Sequence, residues 1–326
     1  MHGWPWPAGR CLYRNGYTVR YPGHGPWYEV WFGKLDIAPG RAFWFRYTLL
    51  DGKTREMAVW AILFDGAVTV GKSSQTWVGR EPVAPGLAFA AGDSHLAPGV
   101  ARGCAGDLAW RLTWTGAGGG FHHVPPILRC LPGTGGYLTL DLDARISGII
   151  EAPGGTVGLD HVTGMLGHIW GRRQPCSWAW LHCNHFDNQP DIAVEALSVV
   201  MPAGRGKTPA ITSLIIKDHD RRRVVRGVLA GLALSSSWNR ERWTAAAWND
   251  RHDIRLTVKR REDMPYALVT YQDTDGSSLW CRNSKLADLE VSIHDKEHDR
   301  RSSWRASARA AFETVDRMRP ERTPDL

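Results

Sequence analysis

Apolar residues recur at every second position along most of this chain, and that spacing constrains its fold more than any other feature. In Arg41–Leu50, Phe43, Phe45, Tyr47 and Leu49 fall on one face, and Trp44, Arg46, Thr48 and Leu50 on the other. Successive side chains of an extended strand point to opposite faces, so such runs suit strands rather than helices. The same pattern runs through Trp27–Leu35, Glu56–Phe64, Asp107–Thr115, Gly136–Asp143, Ile211–Lys217, Ile254–Arg260, Tyr266–Tyr271 and Leu286–Ile293. Turn signals at Pro39-Gly40, Asp51-Gly52, Asp65-Gly66, Gly154-Gly155 and Asp275-Gly276 separate these runs, and Asp-Gly between alternating segments reads as a hairpin. Thirty-five glycines in 326 residues fit a turn-rich, all-β protein.

One segment follows a different spacing. Trp304, Ala308, Ala311, Phe312 and Val315 fall at helical intervals, Ser302 or Ser303 offers a cap, and Pro320 a stop. The expectation is a C-terminal amphipathic helix with Arg305, Arg309 and Arg319 on its polar side. Such a helix packs on a β-barrel or lies with its basic face on a membrane, so peripheral membrane contact through it stays open. No run approaches 18 uninterrupted apolar residues, and no transmembrane segment is expected. The least strand-like central stretch, Gly164 to Cys176, places the boundary between an N-terminal domain, residues 1–164, and a C-terminal domain, residues 165–326.

Seventeen tryptophans, eight tyrosines and eight phenylalanines decide what the interior can hold. Each aromatic side chain buries roughly 150–250 Å², enough for large apolar cores or a large apolar cavity with a hydrophobic ligand. The net charge of +7 invites a nucleic-acid reading. The arginines are scattered, however, and the aromatics alternate with apolar rather than basic residues, so no nucleic-acid partner is expected. The start, Met1 to Pro7, lacks the charged and apolar regions of a signal peptide; a cytoplasmic protein with reduced cysteines is expected. The pattern fixes no oligomeric state.

Two clusters have the residue types of a metal site. His294-Asp295-Lys296-Glu297-His298 matches the His-x-x-Glu-His order, but Asp299, Arg300 and Arg301 mark a solvated charge run. Cys176, His182, Cys183 and His185 form the second cluster. On a strand, His182 points away from Cys183 and His185, so four ligands cannot converge. No metal site and no cofactor is expected.

The most specific stretch is Ala144–Phe186. A strand reaching Ser147-Gly148 precedes a turn at Gly154-Gly155, His168-Ile169-Trp170-Gly171 follows, and Trp178-Ala179-Trp180 leads to Asn184 and Phe186. Together with the aromatic segment Trp27–Leu35, this resembles the tandem lipocalin-like (calycin) family. That family includes tocopherol cyclase, hydroxyneurosporene synthase (a carotenoid 1,2-hydratase) and Diels–Alderase-type pericyclases. The resemblance implies two lipocalin-like antiparallel β-barrels packed together, with an apolar pocket in or between them. It also implies a cyclase, isomerase or hydratase that works without a redox cofactor on an isoprenoid, terpenoid or polyene. The alternative is a non-catalytic carrier of a lipid or pigment.

His168-x-Trp170-Gly171 is similar to the family's acid-His-Asn-Trp-Gly signature, with Gly167 in place of the acid and Ile169 in place of the asparagine. Asp160, Asp187 and Glu195 are the carboxyl groups that could substitute. On a strand Trp178, Trp180, His182 and Asn184 share one face, an apolar wall with a few polar anchors of the kind ligand pockets use. The candidate catalytic groups are His168, His182 and Asp160, and the candidate ligand-binding residues are Trp31, Trp170, Trp178, Trp180 and Asn184. Each tryptophan and histidine also has a purely structural reading, in a core or at a barrel end.

Overall fold

The computed structural model describes residues 16–77, 86–116, 120–125, 135–187, 189, 191–218, 221–226 and 233–319. The segment Met1–Pro7 and the tail from Pro320 lie outside them. Each of the alternating runs is a strand or overlaps one. The first sheet follows the order β4 (Ala67–Thr76), β3 (Arg55–Asp65), β2 (Arg41–Asp51), β1 (Trp27–Ala38), β11 (Gly155–Gly171) and β10 (Gly136–Ala152). It continues through β8 (Leu108–Gly116), β7 (Val100–Ala105), β6 (Ser94–Ala97) and β5 (Phe89–Ala91), with β9 (Phe121–His122) paired to β10. The second sheet runs β17 (Arg221–Arg226), β16 (Ile211–Asp218), β13 (Ile192–Val200), β12 (Ser177–Cys183) and β23 (Arg300–Asp316). Then come β22 (Ser278–Asp295), β20 (His252–Lys259), β19 (Arg242–Trp248) and β18 (Ala233–Trp238), with β21 (Ala267–Gln272) beside β22. A small hairpin, β14 (Pro202–Ala203) and β15 (Gly206–Lys207), stands apart.

Both sheets are antiparallel and curl into nearly closed barrels. In the first, β4 meets β7 where Gly71 lies so close to Ala105 that a Cβ would fall 1.8 Å from its carbonyl oxygen. In the second, the Ser198 hydroxyl bonds both Thr212 (2.6 Å) and Ser236 (2.7 Å), which brings β18 back over β13 and β16. The chain passes from the first sheet to the second between Gly171 and Ser177, and Gly164 lies inside β11.

The expected C-terminal helix does not exist: its residues form β23, paired to β22 and β12 in the middle of the second sheet. Positions four apart share a strand face as well as a helix face, so Trp304, Ala308 and Phe312 satisfied both periods. Trp304, Ala306, Ala310 and Phe312 enter the second core while Arg305 stays exposed. The run then appears helical because Ala311, Glu313 and Val315 are buried too, on the opposite face. Alanine-rich composition favours a helix only weakly, and pairing with two neighbouring strands overrides it. Every named element among the described residues is a strand. The basic helical face expected to touch a membrane is therefore absent, and Arg309 instead bonds Asp36 of β1 at 3.2 Å. Among the described residues no helix is long and apolar enough to cross a membrane.

The tryptophans and phenylalanines divide by face. Trp31, Phe43, Phe45, Tyr47, Phe89 and Trp110 fill the first barrel at 1% exposure or less. Trp110 Nε1 donates to the Tyr47 hydroxyl (3.0 Å), which donates onward to the Arg102 carbonyl (2.8 Å), so the polar atoms of these two side chains are satisfied. The other faces of β1 and β11 carry Tyr28, Val30, Phe32 and Met165, and these pack on Trp180 and Ala311 of the second barrel. The barrels thus meet outer face to outer face, and strands at this seam are buried on both sides. Truncating the chain after Asp299 removes the strand between β12 and β22 and is expected to abolish folding of the second barrel. A thermal transition of wild-type size in the truncated protein would refute the placement of β23.

Candidate functional site

The seam is where buried charge collects. Glu195, on β13, is fully buried among groups from both barrels. It accepts hydrogen bonds from the Tyr137 and Thr139 hydroxyls of β10 and from Trp180 Nε1 at 2.9 Å. His123 lies 3.4 Å away and stacks on the Tyr137 ring at 4.3 Å between centroids. Burial alone would raise the pKa of Glu195. The charge and hydrogen bond of His123, with the Thr139 hydroxyl, outweigh it and bring the value to about 2. Burial and the neighbouring carboxylate push the Tyr137 phenol well above its ordinary value.

Two further groups extend this cluster along the seam. Toward one end, Lys285 Nζ donates to Glu313 (2.6 Å) and Asn283 (2.5 Å), and Asn283 donates to the same carboxylate at 3.0 Å. The ammonium also faces the rings of Trp44 and Trp180 at 5.5 and 5.3 Å. Toward the other end, fully buried Lys34 donates to the Arg309 carbonyl at 3.3 Å. Nearby His182 donates from Nε2 to the Leu142 carbonyl at 2.9 Å, which leaves its buried Nδ1 as an acceptor with no partner. Burial, helped by the charge of Lys34, lowers His182 to about 4, so its imidazole is neutral at pH 7. Asn184 donates to the Gly164 carbonyl (2.9 Å) and to Asp143 (3.1 Å).

The structure separates the sequence-derived candidates into three places. Trp180, His182 and Asn184 lie together on the seam, with Trp178 half-buried beside them. Trp31 and Trp170 flank His168 with ring centroids 4.6 and 4.7 Å away, on the side of the first core. Asp160 stands in solvent, its side chain 95% exposed. Of the substitute carboxyl groups, Asp187 is exposed and bonds Ser307, whereas Glu195 occupies the seam. His168 does have an acid partner, but on another strand. Glu29 of β1 lies 2.9 Å from its Nε2, and the Gly16 carbonyl holds Nδ1 at 2.7 Å. No side chain fits at Gly167, where a Cβ would fall 2.5 Å from the Phe32 ring. Among the described residues no group of three or more His, Cys, Asp or Glu side chains is arranged to hold a metal. Cys183 faces the second core and His182 the seam, while His294 bonds Asp299.

Where the seam reaches the surface it opens into a cleft of about 480 Å³, formed by the outer faces of β2, β3 and β4 and by β21. Its walls include Arg46, Leu50, Ala58, Trp60 and Tyr271. Trp60 meets Tyr271 edge to face at 5.9 Å. Behind Tyr271, Cys281 approaches Glu313 at 3.8 Å, which connects the cleft to the Lys285 cluster. The cleft was not apparent from spacing, since β2 and β21 are far apart in sequence. One signal was available: Glu195 is a single charge between Ile192-Ala193-Val194 and Ala196-Leu197, which marks a strand with two buried faces.

Two antiparallel barrels joined outer face to outer face define a calycin-like double barrel. The tocopherol cyclase-like family model matches residues 138–314, from β10 into β23, and the chain belongs to that family. No curated protein sequence matches it. Solved structures share the fold at low identity. An AttH protein of Nitrosomonas europaea is 11% identical, with 92% of this chain and 97% of that one covered and a TM-score of 0.51. Kievitone hydratase of Nectria haematococca is 10% identical, covering 93% and 94%, with a TM-score of 0.55. CghA with Sch210972 is 9% identical, covering 90% and 89%, with a TM-score of 0.57.

The seam makes stability pH-dependent. His182 falls from 6.5 to about 4 on folding, so between those values the unfolded chain holds the extra proton and stability declines as pH falls, by about 3 kcal/mol at most. Glu195, lowered from 4.5 to about 2, continues the loss in the same direction at lower pH. Thermal melts of His182→Gln are expected to show a shallower decline than wild type between pH 6.5 and 4. An unchanged slope contradicts a buried neutral imidazole.

Proposed function

We propose that this protein is a cofactor-independent enzyme that cyclises or isomerises an apolar small molecule of the isoprenoid, terpenoid or polyene class, bound in the seam cleft. The observation that carries this reading is the line of buried ionisable groups between the barrels, ending in an aromatic cleft. Buried ion pairs add little net stability compared with apolar packing. A seam built around Glu195, His182, Lys285 and Glu313 therefore costs what an apolar seam would not, and such clusters beside a cleft mark functional sites. Family membership and the double-barrel fold support the same class.

The cleft supplies shape first. Leu50, Ala58 and Trp60 form an apolar wall against which a polyene can fold into a reactive conformer, the contribution that orientation alone makes to a unimolecular ring closure. Tyr271 supplies polarity. Burial holds its phenol well above its ordinary pKa, so it keeps its proton, and its hydroxyl, buried toward Cys281, is a donor for a substrate that reaches the floor of the cleft. A phenol of this kind polarises a carbonyl or a conjugated system well. Protonating an isolated alkene demands a stronger acid, so cyclisation and isomerisation fit better than hydration. In this reading His182 remains the proton-accepting group deeper in the seam, while His168 orders the first barrel with Glu29.

Incubation with isoprenoid and polyene extracts, followed by mass spectrometry, tests the proposal. The expected product is isobaric with its substrate. Tyr271→Phe, which keeps the ring and removes the hydroxyl, is expected to lower turnover about 100-fold with an unchanged melting temperature. Recovery of ligand that is bound but chemically unchanged points to a carrier, and a product heavier by one water to a hydratase.

A further inference from the structure

Within the cleft one cation lacks a counter-charge. Arg46 is 7% exposed, and among the described residues no carboxylate lies within ion-pair distance of it. The other two cations of the lining are matched: Arg55 with Asp51 at 3.2 Å and Lys72 with Glu56 at 2.8 Å. Carboxylates elsewhere on this side of the seam are also taken, Asp273 by Arg317 at 2.5 Å and Glu313 by Lys285 at 2.6 Å. The guanidinium lies over the Tyr271 ring, with its carbon 3.8 Å from the centroid, and Nε donates to the Thr48 hydroxyl at 2.9 Å. Stacking uses the face of the group and Thr48 uses one edge. The two terminal nitrogens, in the plane of the fork, are left to serve the cleft.

A buried guanidinium is costly without an anion, and a phenol ring offsets only part of that cost. We infer that the cleft selects ligands carrying an anionic group, a carboxylate or a phosphate, and that Arg46 binds it through its two terminal nitrogens while the apolar body lies along Leu50, Ala58 and Trp60. Arg fits either anion in a two-pronged geometry that a lysine cannot reproduce. This inference rests on the placement of substrate in the cleft proposed above. It adds that the substrate is an amphiphile, held by its charged end so that its apolar chain is fixed in register against the apolar wall.

Three probes with one isoprenoid body separate the terms: farnesoic acid, its methyl ester and farnesyl monophosphate, titrated into the full-length protein and read by tryptophan fluorescence and calorimetry. At least one anion is expected to bind about tenfold tighter than the ester or better, and the tighter of the two names the group. Arg46→Gln is expected to erase that preference, so that the anions bind no tighter than the ester. Arg46→Lys keeps a charge over the ring, is expected to fold as wild type does, and loses part of the preference with the fork. Equal binding of ester and anions, or full preference in Arg46→Gln, overturns the inference while leaving the cleft as the binding site. If Arg46→Gln does not fold, full preference in Arg46→Lys overturns the role of the guanidinium. Failure of all three probes to bind removes the cleft assignment and the proposed function with it.

Discussion

Burial on both faces of the strands that meet at the seam governs the rest of this molecule. β1 shows it most fully: Trp27, Glu29, Trp31 and Leu35 turn into the first barrel, and Tyr28, Val30, Phe32, Lys34 and Asp36 turn against the second. A strand in that position cannot discharge its polar groups into water, so every charge on it needs a partner inside the protein. Lys34 finds the Arg309 carbonyl, Asp36 finds Arg309 Nη1, and Glu29 finds His168. Glu195 repeats the logic from the other side, drawing hydroxyl donors from β10 and an indole from its own sheet. The contact between barrels therefore behaves as interior, with partners that must be delivered together. Removing one member of such a pair strands the other, which typically costs about 3–5 kcal/mol.

Much of this architecture was legible in the chain. Period-two spacing located the strands, the Asp-Gly turns located several hairpins, and the shared face of Trp180, His182 and Asn184 is the seam face. The C-terminal strand was misread for a definite reason: where both faces of a strand are buried the alternation disappears, and alanine with residues four apart then imitates a helix. Partner identity was hidden more deeply. The acid that meets His168 is Glu29, about 140 residues earlier in sequence, because β1 runs antiparallel beside β11 with Trp31 opposite His168. No local motif encodes that pairing. Arg46 likewise looked like one polar position in an alternating strand, and only the arrival of Tyr271 from the second barrel shows how it is held.

Fold and chemistry converge on the same surface. The first interior is filled by six aromatic side chains that are almost wholly withdrawn from solvent. Among the described residues, buried charge, aromatic side chains and an accessible opening come together where the outer sheets touch. A site there has an advantage over one inside a barrel. Its two walls come from separate sheets, so substitutions in β21 can reshape one wall without disturbing the hydrogen-bond ladder of the other. Such a division allows substrate range to change while the scaffold stays constant.

The position of β23 has a consequence for how the molecule is made. This strand is the last in chain order among those described, yet it lies between β12 and β22, and its residues Ala311 and Glu313 close the seam. During synthesis the first sheet can be completed early, but its outer face stays uncovered until residues near 316 have left the ribosome. Up to that moment the nascent chain displays Tyr28, Phe32 and Trp44 beside unpaired Lys34, a surface suited to holdase chaperones. Docking of the second barrel thus waits for β23, and any delay before β23 emerges lengthens the interval in which that surface can stick to other chains.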